Sequence, residues 1–183
     1  TEALTPRALA HWPATAARFW LQMHGAGHVG SAIAALLAGI ACRVQWVDER
    51  DQAFASEAAL PAHIERLCIE PAEAEVAQAP AGAYFLVLTH SHALDERITD
   101  AVLRRGDFGY LGLIGSASKR ARFVHRFEQR GMGAQALERL TCPIGVAGVE
   151  GKEPEVIAVA VVAQLLQASA SRSSAVISST RTV

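Results

Sequence analysis

The six residues Gly25, Ala26, Gly27, His28, Val29 and Gly30 restrict this chain more than any other stretch. Glycine at the first, third and sixth places suits, in that order, a tight turn, close approach of an anion, and a helix seated against a strand. Both flanks agree with that use. Residues 18–24 are a short apolar run read as a first strand, and residues 28–41 an apolar, small-residue run read as a first helix. A second strand, 43–48, alternates and ends on Asp48, 23 residues beyond Gly25. That is close to the spacing at which a carboxylate meets the hydroxyls of a nucleotide ribose. N–H groups at a helix start are unpaired and lie at its positive end, so the turn is expected to hold a phosphate. Packing alone would also account for three glycines; the strand, helix and acid around them favour the anion.

Asp48 would also repel a 2′-phosphate, which favours NAD over NADP, whereas Arg50 works against that discrimination. His28 can donate to the anion or simply face solvent.

The rest of the chain repeats the strand-then-helix rhythm. A weaker strand is expected at 63–69, a short helix at 72–79 between Pro71 and Pro80, and a continuous apolar strand at 84–89. A helix over 94–105 ends at Gly106, a strand occupies 110–114, and a basic amphipathic helix covers 117–130. The last helix, 154–167, has proline in its first position. Residues 1–17 read as a lead-in segment and 168–183 as a loosely held Ser-rich tail, leaving 18–167 as one domain. Strands without polar alternation are covered on both faces. The expected fold is therefore α/β: a doubly wound, mostly parallel sheet with a Rossmann-type βαβ start.

Composition narrows the partners. Of 183 residues 51% are hydrophobic, enough for a sizeable core, and the formal charge of −1 gives no overall pull toward nucleic acid or anionic lipid. Three widely spaced cysteines, with no CxxC, argue against a disulfide scaffold or zinc ribbon and for a reducing, cytoplasmic setting. No signal peptide and no uncharged apolar run of membrane-spanning length is expected.

Three further groups can carry chemistry. Thr89, His90 and His92 follow the carboxyl end of a buried strand, where open α/β sheets bind ligands. His90 is expected to face the ligand, while Ser91 or Asp95 caps the next helix. No third ligand at a recognisable spacing supports a metal on the two histidines. Gly115 and Ser116, ahead of Lys119, Arg120 and Arg122, form a second strand-to-helix turn. Ser116 would cap the helix and Lys119 reach a phosphate, unless the basic face is only solvated or meets an acidic partner. Cys142, before Pro143, is expected to be the most exposed cysteine, open to metal ligation or sulfur chemistry, although a small buried hydrophobe is the commoner role. Cys42 and Cys68 read as structural. The helix at 154–167 reads as core; an exposed face on it would mark a homodimer or partner surface.

Six segments together resemble the XdhC/CoxI family of xanthine dehydrogenase accessory proteins. They are residues 24–30 (HGAGHVG), 46–50 (WVDER), 89–95 (THSHALD), 113–123 (LIGSASKRARF), 142–145 (CPIG) and 151–158 (GKEPEVIA). The resemblance runs from about residue 18 to 167, and Ser91 in the THSH segment favours the xanthine dehydrogenase branch. It implies a chaperone that binds the molybdenum cofactor (molybdopterin), protects it during sulfuration, and helps insert it into xanthine dehydrogenase. The implied partners are that enzyme, a cysteine desulfurase and the enzymes that make the cofactor. Typical members carry an additional N-terminal domain before the Rossmann half, where this chain has the 17-residue lead-in.

Three functions therefore compete. A cofactor carrier, not itself an enzyme, comes first. An NAD-dependent oxidoreductase would need an acid–base pair, for which only His90 and His92 offer themselves, and a substrate domain that the sequence does not show. A nucleotide-sensing interaction module would need no chemistry, and fold alone does not choose among the three.

Overall fold

The computed structural model describes residues 17–54 and 59–180, so most of the expected lead-in segment lies outside the described residues. Strand β1 is Trp20–His24, β2 Arg43–Asp48, β3 Ile64–Cys68, β4 Tyr84–Val87, β5 Tyr110–Leu113 and β6 Leu140–Thr141. The helices are α1 His28–Leu37, α2 His92–Arg105, α3 Ala117–Gln129, α4 Ala134–Glu138 and α5 Pro154–Thr180. The six strands form one parallel sheet in the order β3-β2-β1-β4-β5-β6. The chain winds outward from β1 to β3, crosses back to β4, and winds the other way. Loops from β1 and β4 thus diverge to opposite faces, which opens a crevice at the carboxyl edge between them.

Burial explains the apolar runs. Tyr84 and Leu86 of β4 point into one core with Leu21, Met23, Ile33 and Leu165, under α1 and α5. Phe85 and Val87 point into the other with Ile98, Leu111, Phe123 and Phe127, under α2 and α3. Each face of the sheet is covered, so β4 has no side that can be polar.

Several boundaries differ from expectation. Helix α1 stops at Leu37 because Gly39 and Ile40 fold back in a turn on Leu36 and Leu37 carbonyls. Residues 72–78 form a 3-10 helix, and α2 begins at His92 because Ser91 caps it. Helix α5 continues to Thr180, well past residue 167. Its Ser169 is buried, and the hydroxyl donates to the carbonyl of Arg18. With that length α5 meets the size and mean hydropathy (1.3 over Pro154–Ser171) of a membrane span, contrary to expectation. Ala158, Val161 and Leu165 pack it into the core, while Val159 is half exposed.

Candidate functional site

The glycine turn folds as its residue types demand. Gly25 has φ +117°, and a Cβ there would stand 2.3 Å from the Leu88 carbonyl oxygen. A Cβ on Gly30 would stand 2.2 Å from the carbonyl oxygen of Gly25, so α1 sits directly on the turn. Gly27 has only open space around its missing Cβ, and no side chain caps the start of α1. An approaching anion would meet free N–H groups there. His28 is exposed beside it and Val29 packs against the core.

Asp48 lies against this turn and is engaged by the chain itself. Its Oδ2 accepts from Ala26 N at 2.7 Å, and Arg50 donates to the two oxygens through Nε (2.9 Å) and Nη2 (3.0 Å). Burial pushes the carboxyl up, but the bonds from Arg50 and Ala26 outweigh it and hold Asp48 below the ordinary carboxylate range. A ribose hydroxyl would have to move Arg50, whose side chain is 42% exposed, off the carboxylate.

Beneath the turn, β1 carries two buried polar residues. Gln22 Nε2 donates to Gln45 Oε1 at 2.6 Å and to the Glu75 carbonyl at 2.9 Å. Gln22 Oε1 is then the acceptor for His24, 2.9 Å from Nε2, so Nε2 carries the proton and the partnerless Nδ1 is bare. Burial drives His24 down to about 3, opposed by the charge of Asp48. The unfolded chain protonates this histidine below about pH 6.5 and the folded chain does not until about pH 3. Its contribution is fully present above pH 6.5 and lost as pH falls toward 3, at about 1.4 kcal/mol per pH unit. His24→Gln is therefore expected to lose about 2 kcal/mol less than the parent between pH 7 and pH 5 in urea unfolding. Equal losses would place the pH dependence elsewhere.

The second half of the site lies at the carboxyl ends of β4 and β5. A pocket of about 480 Å³ opens between the first turns of α2 and α3, walled by Thr89, His90 and His92 on one side and Gly115, Ser116 and Arg122 on the other. Both helices are capped from within: Ser91 Oγ accepts from Leu94 N and Ser116 Oγ from Lys119 N. Lys119 does not extend to solvent. It is 6% exposed, and its ammonium donates to Asp95 Oδ2 at 2.6 Å and to the Ile114 carbonyl at 2.8 Å. Asp95 in turn accepts at Oδ1 from the amide and hydroxyl of Thr89. Asp95 thus pins the two helix starts together, and the expected free cation at Lys119 is a floor element of the pocket.

The sequence-derived candidates accordingly fall into two clusters on one edge. Gly25–Gly30, Asp48 and Arg50 form the first; Thr89, His90, Ser116 and Lys119 form the second. They adjoin where Leu88 N donates to the His24 carbonyl. Cys142 lies beside the second cluster but, against expectation, is buried at 8%, its Sγ directed at the Ser116 carbonyl. Burial pushes its thiol up despite nearby Lys119 and Arg120, which disfavours a thiolate. The exposed cysteine is Cys68 at the end of β3. Among the described residues no group of three or more His, Cys, Asp or Glu side chains could hold a metal ion. Asp95, Arg122 and His24 had no place among the expected ligand-binding residues. Asp95 and Lys119 carried a signal, since each is in phase with its helix's buried stripe: Ile98 and Val102 in α2, Phe123 and Phe127 in α3.

A parallel sheet in this order, an uncapped glycine turn at its switch point and an open pocket beside it define a Rossmann-type α/β domain. The chain belongs to the XdhC Rossmann domain family, which matches residues 21–165. A Bacillus halodurans protein of known crystal structure, described as a xanthine dehydrogenase, shares the fold with a TM-score of 0.69 at 23% identity. That likeness covers 84% of this chain and 43% of the other, so this chain spans under half of its relative's length. No curated protein matches the sequence.

Proposed function

We propose that this chain is the cofactor-holding domain of an accessory protein that carries molybdenum cofactor to xanthine dehydrogenase. The carrying observation is the two-part crevice: an open, uncapped glycine turn beside a 480 Å³ pocket, on one sheet edge. The start of α1 offers N–H groups with no Cβ at Gly27 in the way, and the pocket beside it adds room, so the two together can take an anionic group and an organic body. The donor set does not extend to the metal: Cys142 is buried and protonated, so this chain holds the cofactor by its organic part. When bound, the group supplies the molybdenum centre that the receiving enzyme uses. The chain's own residues do the holding: Gly25 to Gly30 on one side and Thr89, His90 and Ser116 on the other divide the anionic and organic parts of the ligand between them. A cysteine desulfurase is the natural partner for sulfuration of a cofactor held this way.

The test is to purify the protein from cells that make the cofactor, measure co-eluting molybdenum and pterin, and add the loaded protein to cofactor-free xanthine dehydrogenase. Stoichiometric pterin and recovery of dehydrogenase activity are expected. Turnover of NAD with a hydroxy or keto substrate, and no pterin, would instead establish an oxidoreductase.

A further inference from the structure

We infer that the pocket between α2 and α3 is an oxyanion subsite in its own right, taking the phosphate of a phosphomonoester, with Arg122 as the group that contacts it. The reading rests on the carrier proposal only for the remainder of the ligand; the anion chemistry stands on the pocket.

Three observations carry it. First, charge: the one carboxylate at the pocket, Asp95, is neutralised by Lys119 at 2.6 Å, so these two cancel. That leaves Arg122 as the net charge of the lining. Second, availability: Arg122, His90 and His92 are exposed at the pocket wall and make no hydrogen bond or ion pair among the described residues. Two arginines further along α3 are committed elsewhere, as Arg126 and Arg130 both hold Glu96. Third, Ser91 and Ser116 cap the two helix starts and each takes up one first-turn amide, so the exposed side chains add to the amides that remain. A guanidinium with two imidazoles, converging without an acid to satisfy them, is a donor set for a phosphate. The Asp95–Lys119 pair acts by position: it fixes both walls and keeps the carboxylate from repelling the anion. The glycine turn would then hold a second anionic group or none.

Inorganic phosphate, titrated at constant ionic strength and followed by amide chemical shifts, tests this without any cofactor. Saturable shifts are expected at residues 89–92 and 115–119. Arg122→Ala is expected to weaken phosphate binding by about tenfold or more, since it removes a charge-assisted contact. Arg104→Ala, which removes an exposed arginine at the far end of α2, should change it less than about twofold and serves as the charge control. Absence of saturation up to about 50 mM phosphate would overturn the subsite, because such binding would be too weak to orient a ligand. So would a loss with Arg104→Ala equal to that with Arg122→Ala. Molybdenum cofactor uptake separates the two readings. Phosphate binding without uptake refutes the carrier alone, and uptake undiminished by Arg122→Ala refutes the subsite alone.

Discussion

Gly30→Ala is expected to cost the domain about 3 kcal/mol or more, while Gly27→Ala, three residues away, stays within about 0.5 kcal/mol of the parent. The added methyl at Gly30 would lie 2.2 Å from the carbonyl oxygen of Gly25. Backbone atoms cannot yield as a flexible side chain can. Gly25 has no slack either, since it faces the Leu88 carbonyl and adopts φ +117°. Relief would have to come from α1 lifting off the sheet, which uncovers Ile33 and Leu37, both fully buried. At Gly27 no heavy atom lies within 4 Å of the added carbon, and its φ of −82° is open to any residue. Urea unfolding followed by circular dichroism compares the two directly. Equal midpoints would mean that α1 does not sit against the turn.

Lys119→Met is expected to be the most damaging change in the second cluster, at about 3–5 kcal/mol, because it strands the Asp95 carboxylate in a site where that residue is 1% exposed. Adding Asp95→Asn should recover at least half of that loss. The amide oxygen can still accept from Thr89, and the uncompensated charge is gone. A double-mutant cycle by chemical denaturation reads the coupling. A double variant as unstable as Lys119→Met alone would show that packing of the lysine stem, not the ion pair, ties α2 to α3.

Much of this was legible in the residues, and the illegible part has physical reasons. The first βαβ unit could be read because glycine positions, a polar strand end and helix periodicity all pointed the same way. The buried β4 could be read because Tyr84, Phe85, Leu86 and Val87 leave no face for water. Lys119 was misjudged as a free cation because a run of basic residues is read by its majority. Arg120 and Arg122 do face outward, yet 119, 123 and 127 make one inner stripe. Cys142 was misplaced because β6 is only two residues long and shows no period, so the cysteine continuing its inward alternation after Leu140 read as a loop residue. Helix α5 was cut short by its serines, although no glycine or proline follows Pro154 to end it. The long-range contacts, Ala26 N on Asp48 and Gln22 with Gln45 and the Glu75 carbonyl, hang on how β1, β2 and the 3-10 helix meet. No local pattern encodes that.

The tie between Ser169 and Arg18 joins residues 151 positions apart, and α5 with α1 forms the most extensive contact between helices. One face of the sheet is therefore closed by the element of this domain that is synthesised after all its strands. Until α5 leaves the ribosome, Leu21 and Met23 have Ile33 of α1 above them but nothing to seal its flank. The nascent chain thus completes the face under α2 and α3 first. Its first-made strand stays vulnerable to misassociation longest, and a stop shortly after Pro154 would leave it so permanently.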